Sequence, residues 1–294
     1  IRYWIKKGHT DVVTIIVEER VGEVELEDIE DPWNSWVFEI NARGRIEGEQ
    51  SKSELDLNLS VSAKRVTEKN KFAIRASFNE EKSTFNYEDN DIIATQTSRN
   101  INISDVISIG GNWSAGAFGR VGSSIYRNQD FYWEFKPALE FNFFDYSKSA
   151  QKQLVLSYRN GIVSNDYIEM TVFGELKEDR WEHELNLGGT VKERWGNIYG
   201  EASFEQFLHD TTLNAFKFYL GTSVRLFKGF NFNLSGDYSI IGNQINLPAG
   251  DVSLEELLLQ QQQIASGFDY TLRVGISYSF GSIYNTIVNP RFNF

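Results

Sequence analysis

No cysteine occurs among the 294 residues, and there are only one Met and four Pro. Without Cys there is no disulfide framework, no zinc–thiolate site and no Cys nucleophile. No stretch approaches the ~18 consecutive apolar residues that a transmembrane helix requires. The chain opens at Ile1 with no basic-then-apolar signal segment, so a processed or cut chain is expected. Positive charge is also short. Against 41 Asp+Glu stand 29 Lys+Arg, for a net charge of −12, which argues against nucleic acid as a partner. The excess is uneven: residues 18–31 (EERVGEVELEDIED) hold eight acids and one Arg. That run reads as a self-repelling periplasmic lead-in rather than as part of a folded wall. A Gly-rich phosphate loop, a metal triad and a nucleophile triad are all missing, so neither a cofactor nor an enzyme is expected.

What the chain has instead is aromatics, at 14%, and a period of two. Phe131, Trp133, Phe135, Pro137, Leu139, Phe141 and Phe143 alternate with Tyr132, Glu134, Lys136, Ala138, Glu140 and Asn142. Successive strand residues point to opposite faces, so this is one long strand with an apolar and a charged face. The pattern recurs to predict twelve strands: 34–48, 53–66, 70–86, 92–109, 112–127, 129–145, 150–162, 179–193, 196–209, 214–228, 230–243 and 267–282. Between the fourth and fifth, Asp105 falls among apolar positions and Gly110-Gly111 blurs the boundary. Pro137 predicts a bulge, or a strand shorter than drawn, because it cannot donate to a ladder.

These strands are longer than the ~5–6 residues usual in soluble sheets and suit the ~9–11 needed to cross a bilayer. A soluble sandwich would also have one apolar face per strand, but it explains neither this length nor the aromatic rims. Trp36, Phe131, Trp133, Phe143, Trp181, Phe216, Phe268 and Phe280 stand near the ends of apolar rows, as in the girdles of an outer-membrane barrel. The expected fold is therefore all-β, a transmembrane antiparallel up-and-down β-barrel over 34–294, preceded by the lead-in 1–33. The connections 80–92, 163–178 and 243–266 are expected to be the long ones, all at one end. The connections at the opposite end, including SKSA at 147–150, are expected to be tight turns. Long loops face outside and short turns the periplasm, which puts both termini in the periplasm.

The inward row mixes signs about equally. Its main members are Arg43, Arg45, Glu134, Lys136, Glu140, Arg159, Glu182, Glu184, Arg225, Asp237 and Arg273. Such balance favours cross-strand ion pairs and an occluded lumen over a selective pore. A twelve-stranded barrel lies between filled and open sizes, so an open channel for small solutes stays in play. In the last long loop, Ser253 and Glu256 make a capping box, with Leu257 and Leu258 at helical spacing, predicting a short helix that is either a plug or a surface cap. His183, beside Trp181 on the lipid-facing row, raises a lipid-modifying enzyme as a further alternative. No Ser stands two residues away, however, and a girdle role fits better. The acids of 80–91 read as a solvated loop.

The stretches DPWNSWVFEI (31–40), SVSAKRVTEKNK (60–71), NWSAGAFG (112–119), PALEFNFFDYSKSAQKQL (137–154), RLFKGFNFNLSG (225–236) and YSFGSIYNTIVNPRF (278–292) resemble a family of outer-membrane proteins from Bacteroidota. That family is itself distantly similar to YdiY-type salt-induced barrels. The resemblance covers about 31–292 and implies a Gram-negative outer-membrane location and no established activity. It also implies a preceding periplasmic domain, of which IRYWIKKGHTDVVTIIVEER would be the tail. On this reading the partners are outer-membrane lipid, lipopolysaccharide and other envelope proteins. The expected role is structural or accessory.

Overall fold

The structure, a computed structural model, describes residues 31–87, 90–250 and 263–281. The chain divides into two units at Asn34 and Ser35, and the fold described below is that of the second. It is all-β. Twelve strands follow one another in space in chain order: β1 Trp36–Gly48, β2 Lys52–Val66, β3 Asn70–Tyr87, β4 Asn90–Gly110, β5 Trp113–Ser124, β6 Gln129–Asn142, β7 Lys152–Tyr167, β8 Lys177–Glu193, β9 Gly196–Phe207, β10 Asn214–Phe227, β11 Phe230–Ile241 and β12 Phe268–Tyr278. Every ladder is antiparallel between sequence neighbours, which is the topology of an up-and-down barrel. Among the described residues no ladder joins β12 to β1, and β1 from Val37 onward is exposed at every position.

Exposure is inverted relative to a soluble protein. Ile101, Ile103, Phe131, Leu139, Leu185, Leu187, Phe218, Leu272 and Ile276 are exposed, whereas Ser114, Lys136, Asn142, Asn165, Glu178 and Glu182 are buried. Since neighbouring residues of a strand face opposite ways, the sheet is rolled with its polar row inside and its apolar row outside. The predicted twelve strands are all present, within a few residues of the boundaries read from alternation.

Several connections differ from expectation. Residues 80–87 and 90–91 are strand, not loop. The β3–β4 ladder continues through Glu80↔Thr97 and Glu81↔Gln96 to Tyr87↔Asn90, because backbone pairing does not require an apolar face. The β7–β8 connection shrinks to 168–176, as β7 runs on to Tyr167. At the opposite end, the connection 143–151 is as long as 168–176 and contains a 3-10 turn, Tyr146–Lys148, where a tight turn was expected. The length asymmetry between the two ends therefore rests mainly on 242–267. The predicted helix, with Ser253, Glu256, Leu257 and Leu258, lies outside the described residues.

Pro137 produces neither a bulge nor an early strand end. Register with β7 is the same before it (Phe135↔Ile162) and after it (Ala138↔Arg159), and only the pairing of Lys136 and Pro137 lapses. The constant register sets Lys136 opposite Gly161. The two strands pinch together there: a Cβ on Gly161 would lie 1.9 Å from the Phe135 carbonyl oxygen and 2.7 Å from the Lys136 Cα. Glycine is required by contact with backbone, which no rotamer can relieve.

Gly161→Ala is expected to lower stability by about 1–3 kcal/mol or more. Gly119→Ala, whose Cβ would meet nothing nearer than Glu134 O at 3.8 Å, should be near neutral. Urea midpoints of the two variants in detergent provide the check.

Candidate functional site in the barrel interior

The interior row is built by parity. Even residues of β5, β6 and β8 and odd residues of β7 point inward, so charges on four strands converge. Lys136 Nζ lies 2.5 Å from Glu182 Oε2 and 3.7 Å from Glu134, and Glu134 lies 3.1 Å from Arg120. Lys136 and Glu182 side chains are each 9% exposed. Lys136 on β6 and Glu182 on β8 both stand in register with Gly161 of β7. The missing side chain at Gly161 is what lets the ammonium reach across β7 to the carboxylate. Arg159 meets Glu184 at 3.4 Å and stacks its guanidinium 4.2 Å from the Phe118 ring centroid. This continues the chain of paired charges around β5–β8.

Other predicted lumen residues behave differently. Arg45 contacts Asp56 at 2.6 Å, Glu47 at 3.0 Å and Glu54 at 3.9 Å, but its side chain is half exposed. Arg43, Glu140, Arg225, Asp237 and Arg273 form no ion pair among the described residues. Having a charge on the right face is not enough; an acid must also stand within side-chain reach, opposite or diagonally. Lys217 reaches Glu205 diagonally at 2.9 Å, with Ala215↔Glu205 and Lys217↔Ser203 as the directly facing pairs.

The aromatic positions sort by strand end. Phe131, Trp133, Trp181, Phe216 and Phe268 stand towards the end where β5 and β6 join, whereas Trp36, Phe143 and Phe280 stand towards the other. Phe143 lies just past β6 and Phe280 just past β12. His183 belongs with the outer row. Its Nε2 is 3.0 Å from Gln206 Oε1, and its ring lies edge-on to Tyr158 and Phe204 at 6.1 and 6.2 Å. His209 contacts Arg180, and the adjacent Asp210 accepts from Thr212 N and Oγ1 at 2.9 and 2.7 Å. No group of three or more potential metal ligands occurs among the described residues.

The residue that alternation did not reveal is Asn128. It sits in the β5–β6 turn, buried, with φ of 55°, a left-handed backbone that asparagine tolerates better than most residues. Its side chain holds two other connections. Nδ2 donates to Glu169 O at 2.9 Å and to Asn246 O at 3.1 Å, and Oδ1 accepts from Glu169 N at 2.7 Å. Asn246 Nδ2 in turn donates to Arg127 O at 3.0 Å. The 168–176 and 242–250 segments also bond directly: Val172 N to Leu247 O and Ala249 N to Met170 O, both 2.8 Å, around a Thr171↔Pro248 bridge. Ile245 packs with Phe207 and Leu213 as a buried apolar cluster. The β5–β6 and β11–β12 connections are six strand positions apart in an order of twelve. In a rolled sheet that is half the circumference, so the 242–250 segment crosses the mouth and is latched on the far wall. The only sequence signal for this was an Asn between two strands, which marks a turn but not its contacts.

No family model matches the chain, and no curated protein does. Among solved structures, the NanC porin aligns with a TM-score of 0.38 at 9% identity, covering 82% of this chain and 100% of that one. The translocator domain of the autotransporter NalP from Neisseria meningitidis aligns with a TM-score of 0.30 at 12% identity, covering 83% of this chain and 87% of that one. The fold assignment therefore rests on the chain's own ladders and on its inverted exposure.

Lys136→Met should cost about 3–5 kcal/mol, because it strands the Glu182 carboxylate without its partner. The double variant Lys136→Met/Glu182→Met should recover most of that loss, and a double-mutant cycle on urea midpoints measures the coupling. Arg45→Gln, at an exposed pair, should cost no more than about 1 kcal/mol.

Proposed function

We propose that this chain is an integral outer-membrane β-barrel, closed at its loop end by its own connections, with a structural or accessory role. The reading makes it a membrane anchor for a periplasmic domain or a subunit of an envelope complex, and assigns it no catalysis. The observation that carries the membrane assignment is the inversion of exposure. A continuous apolar belt with aromatics at both edges faces out, while ionised pairs are buried inside. An aqueous solvent would favour the opposite arrangement. The same belt makes acyl chains and lipopolysaccharide its natural contacts. With the longest connection, 242–267, on the outside, both termini are periplasmic.

Support for an accessory role comes from the interior. The latched 242–250 segment crosses one mouth, and the Arg120–Glu134–Lys136–Glu182 chain fills the wall below it with side chains held in mutual pairs. A conduction path needs groups free to exchange with a passing ion. The second reading, a small-solute channel, is favoured by one observation: the interior of β8–β12 at the turn end is a chamber of about 750 Å³. Conductance in planar bilayers separates the two. Wild-type protein should give no steady openings, and Asn128→Ala, which releases the latch, should give flickering ones. Steady ion-selective openings of the wild type would sink the closed reading.

The membrane assignment has its own test in two adjacent residues. Leu187→Lys, on the outer row, should cost about 2–4 kcal/mol of folding into vesicles if near the bilayer midplane. Asn186→Lys, on the inner row beside Glu201, should be tolerated. Equal effects would overturn the assignment of faces.

A further inference from the structure

The charges of the interior are not evenly matched around the wall. On β5–β8 each of Arg120, Lys136 and Arg159 has an acid within 4.0 Å. On β8–β12, Lys192 and Arg273 have none among the described residues, yet both line the same chamber of about 750 Å³. Two cations without acids on one cavity lining give it a positive potential that an anion complements.

The rest of the lining is specific in kind. Tyr199 and Tyr219 stand with ring centroids 5.6 Å apart and planes tilted by 54°, presenting ring faces and hydroxyls. Asn233 adds a side-chain amide that can donate and accept, and Asn197, whose Oδ1 accepts from Ser223 N at 3.2 Å, adds an amide donor. Room for the chamber comes from Ser235 and Gly275, whereas the space over Gly221 is taken by the Tyr219 hydroxyl. The nearest acid along β9, Glu201, is already engaged: it accepts from Asn186 Nδ2 at 2.6 Å and from the Tyr199 hydroxyl. It is therefore not the counter-ion of Lys192 or Arg273.

We infer that this chamber binds a small hydroxylated anion, a phosphorylated or carboxylated polyol about the size of one sugar ring. Lys192 and Arg273 hold its anionic group. The amides and tyrosine hydroxyls meet its hydroxyls, and the tyrosine rings cover its carbon face. The chamber lies within the usual range of ligand cavities, ~300–1,000 Å³. The inference rests on the barrel reading, because it takes the polar face of β8–β12 as the barrel interior. It gives a barrel closed at its loop end a ligand reached from the turn end.

The test uses the full chain folded in detergent, with the fold verified first by heat-dependent mobility on gels. Calorimetric titration then compares glucose 6-phosphate, gluconate, glucose and inorganic phosphate. Glucose 6-phosphate or gluconate should bind and glucose should not, with the stronger of the two anions naming the favoured group. Inorganic phosphate should bind more weakly than glucose 6-phosphate, since it leaves the tyrosines and amides unmet. Lys192→Gln and Arg273→Gln should each weaken binding by about tenfold or more, and added salt should weaken it too. Arg45→Gln should leave it unchanged. Binding of glucose as tight as that of the anions, no anion binding by heat-modifiable protein, or full binding by the Lys192→Gln/Arg273→Gln double variant would each overturn the site while leaving the barrel intact. A chain whose mobility heat does not change would overturn the barrel reading and the site with it.

Discussion

A wall one strand thick has only alternation to keep its two sides apart. There is no second layer to bury a misplaced residue, so each strand must hold its register along its whole length or exchange its apolar and polar faces. The rest of the structure depends on this constraint. It explains why Pro137 is accommodated without a shift: a one-residue slip in β6 would turn Phe135, Leu139 and Phe141 inward and Lys136 outward. Local loss of pairing at Lys136 and Pro137 is the smaller cost.

The same constraint leads to the buried pair. With register fixed, Lys136, Gly161 and Glu182 fall in one cross-strand row. Gly161 brings β6 and β7 backbones together and clears the space above β7, so a lysine on one strand serves a glutamate two strands away. Packing and electrostatics are thus coupled through a residue with no side chain. Farther along the wall Lys217 still finds Glu205, but Lys192 and Arg273 line a chamber and meet no acid among the described residues.

Alternation was legible because it is local: Trp133, Leu139, Leu185 and Leu187 declare an outer face by their spacing alone, and all twelve strands follow from such rows. What spacing cannot supply is the identity of partners. Glu134 and Glu140 look alike in sequence, two inward acids on one strand, but only Glu134 has Arg120 and Lys136 within reach. Residues 80–87 and 90–91 differ from expectation for the converse reason. Their polarity suggests a loop, while the hydrogen-bond ladder that keeps them in β3 and β4 is indifferent to side-chain polarity. Asn128 escaped because its role is to bond backbone far away in sequence, and nothing local marks that.

The latch at Asn128 also bears on how such a chain assembles. Every strand pairing joins sequence neighbours, so the sheet can grow hairpin by hairpin with little loop entropy to overcome. The bond from Asn128 to Asn246 spans 118 positions and requires β11 to be in place. The mouth can therefore seal only after nearly the whole wall exists. Until then the growing barrel is an open vessel, and sealing reports that the C-terminal strands have arrived.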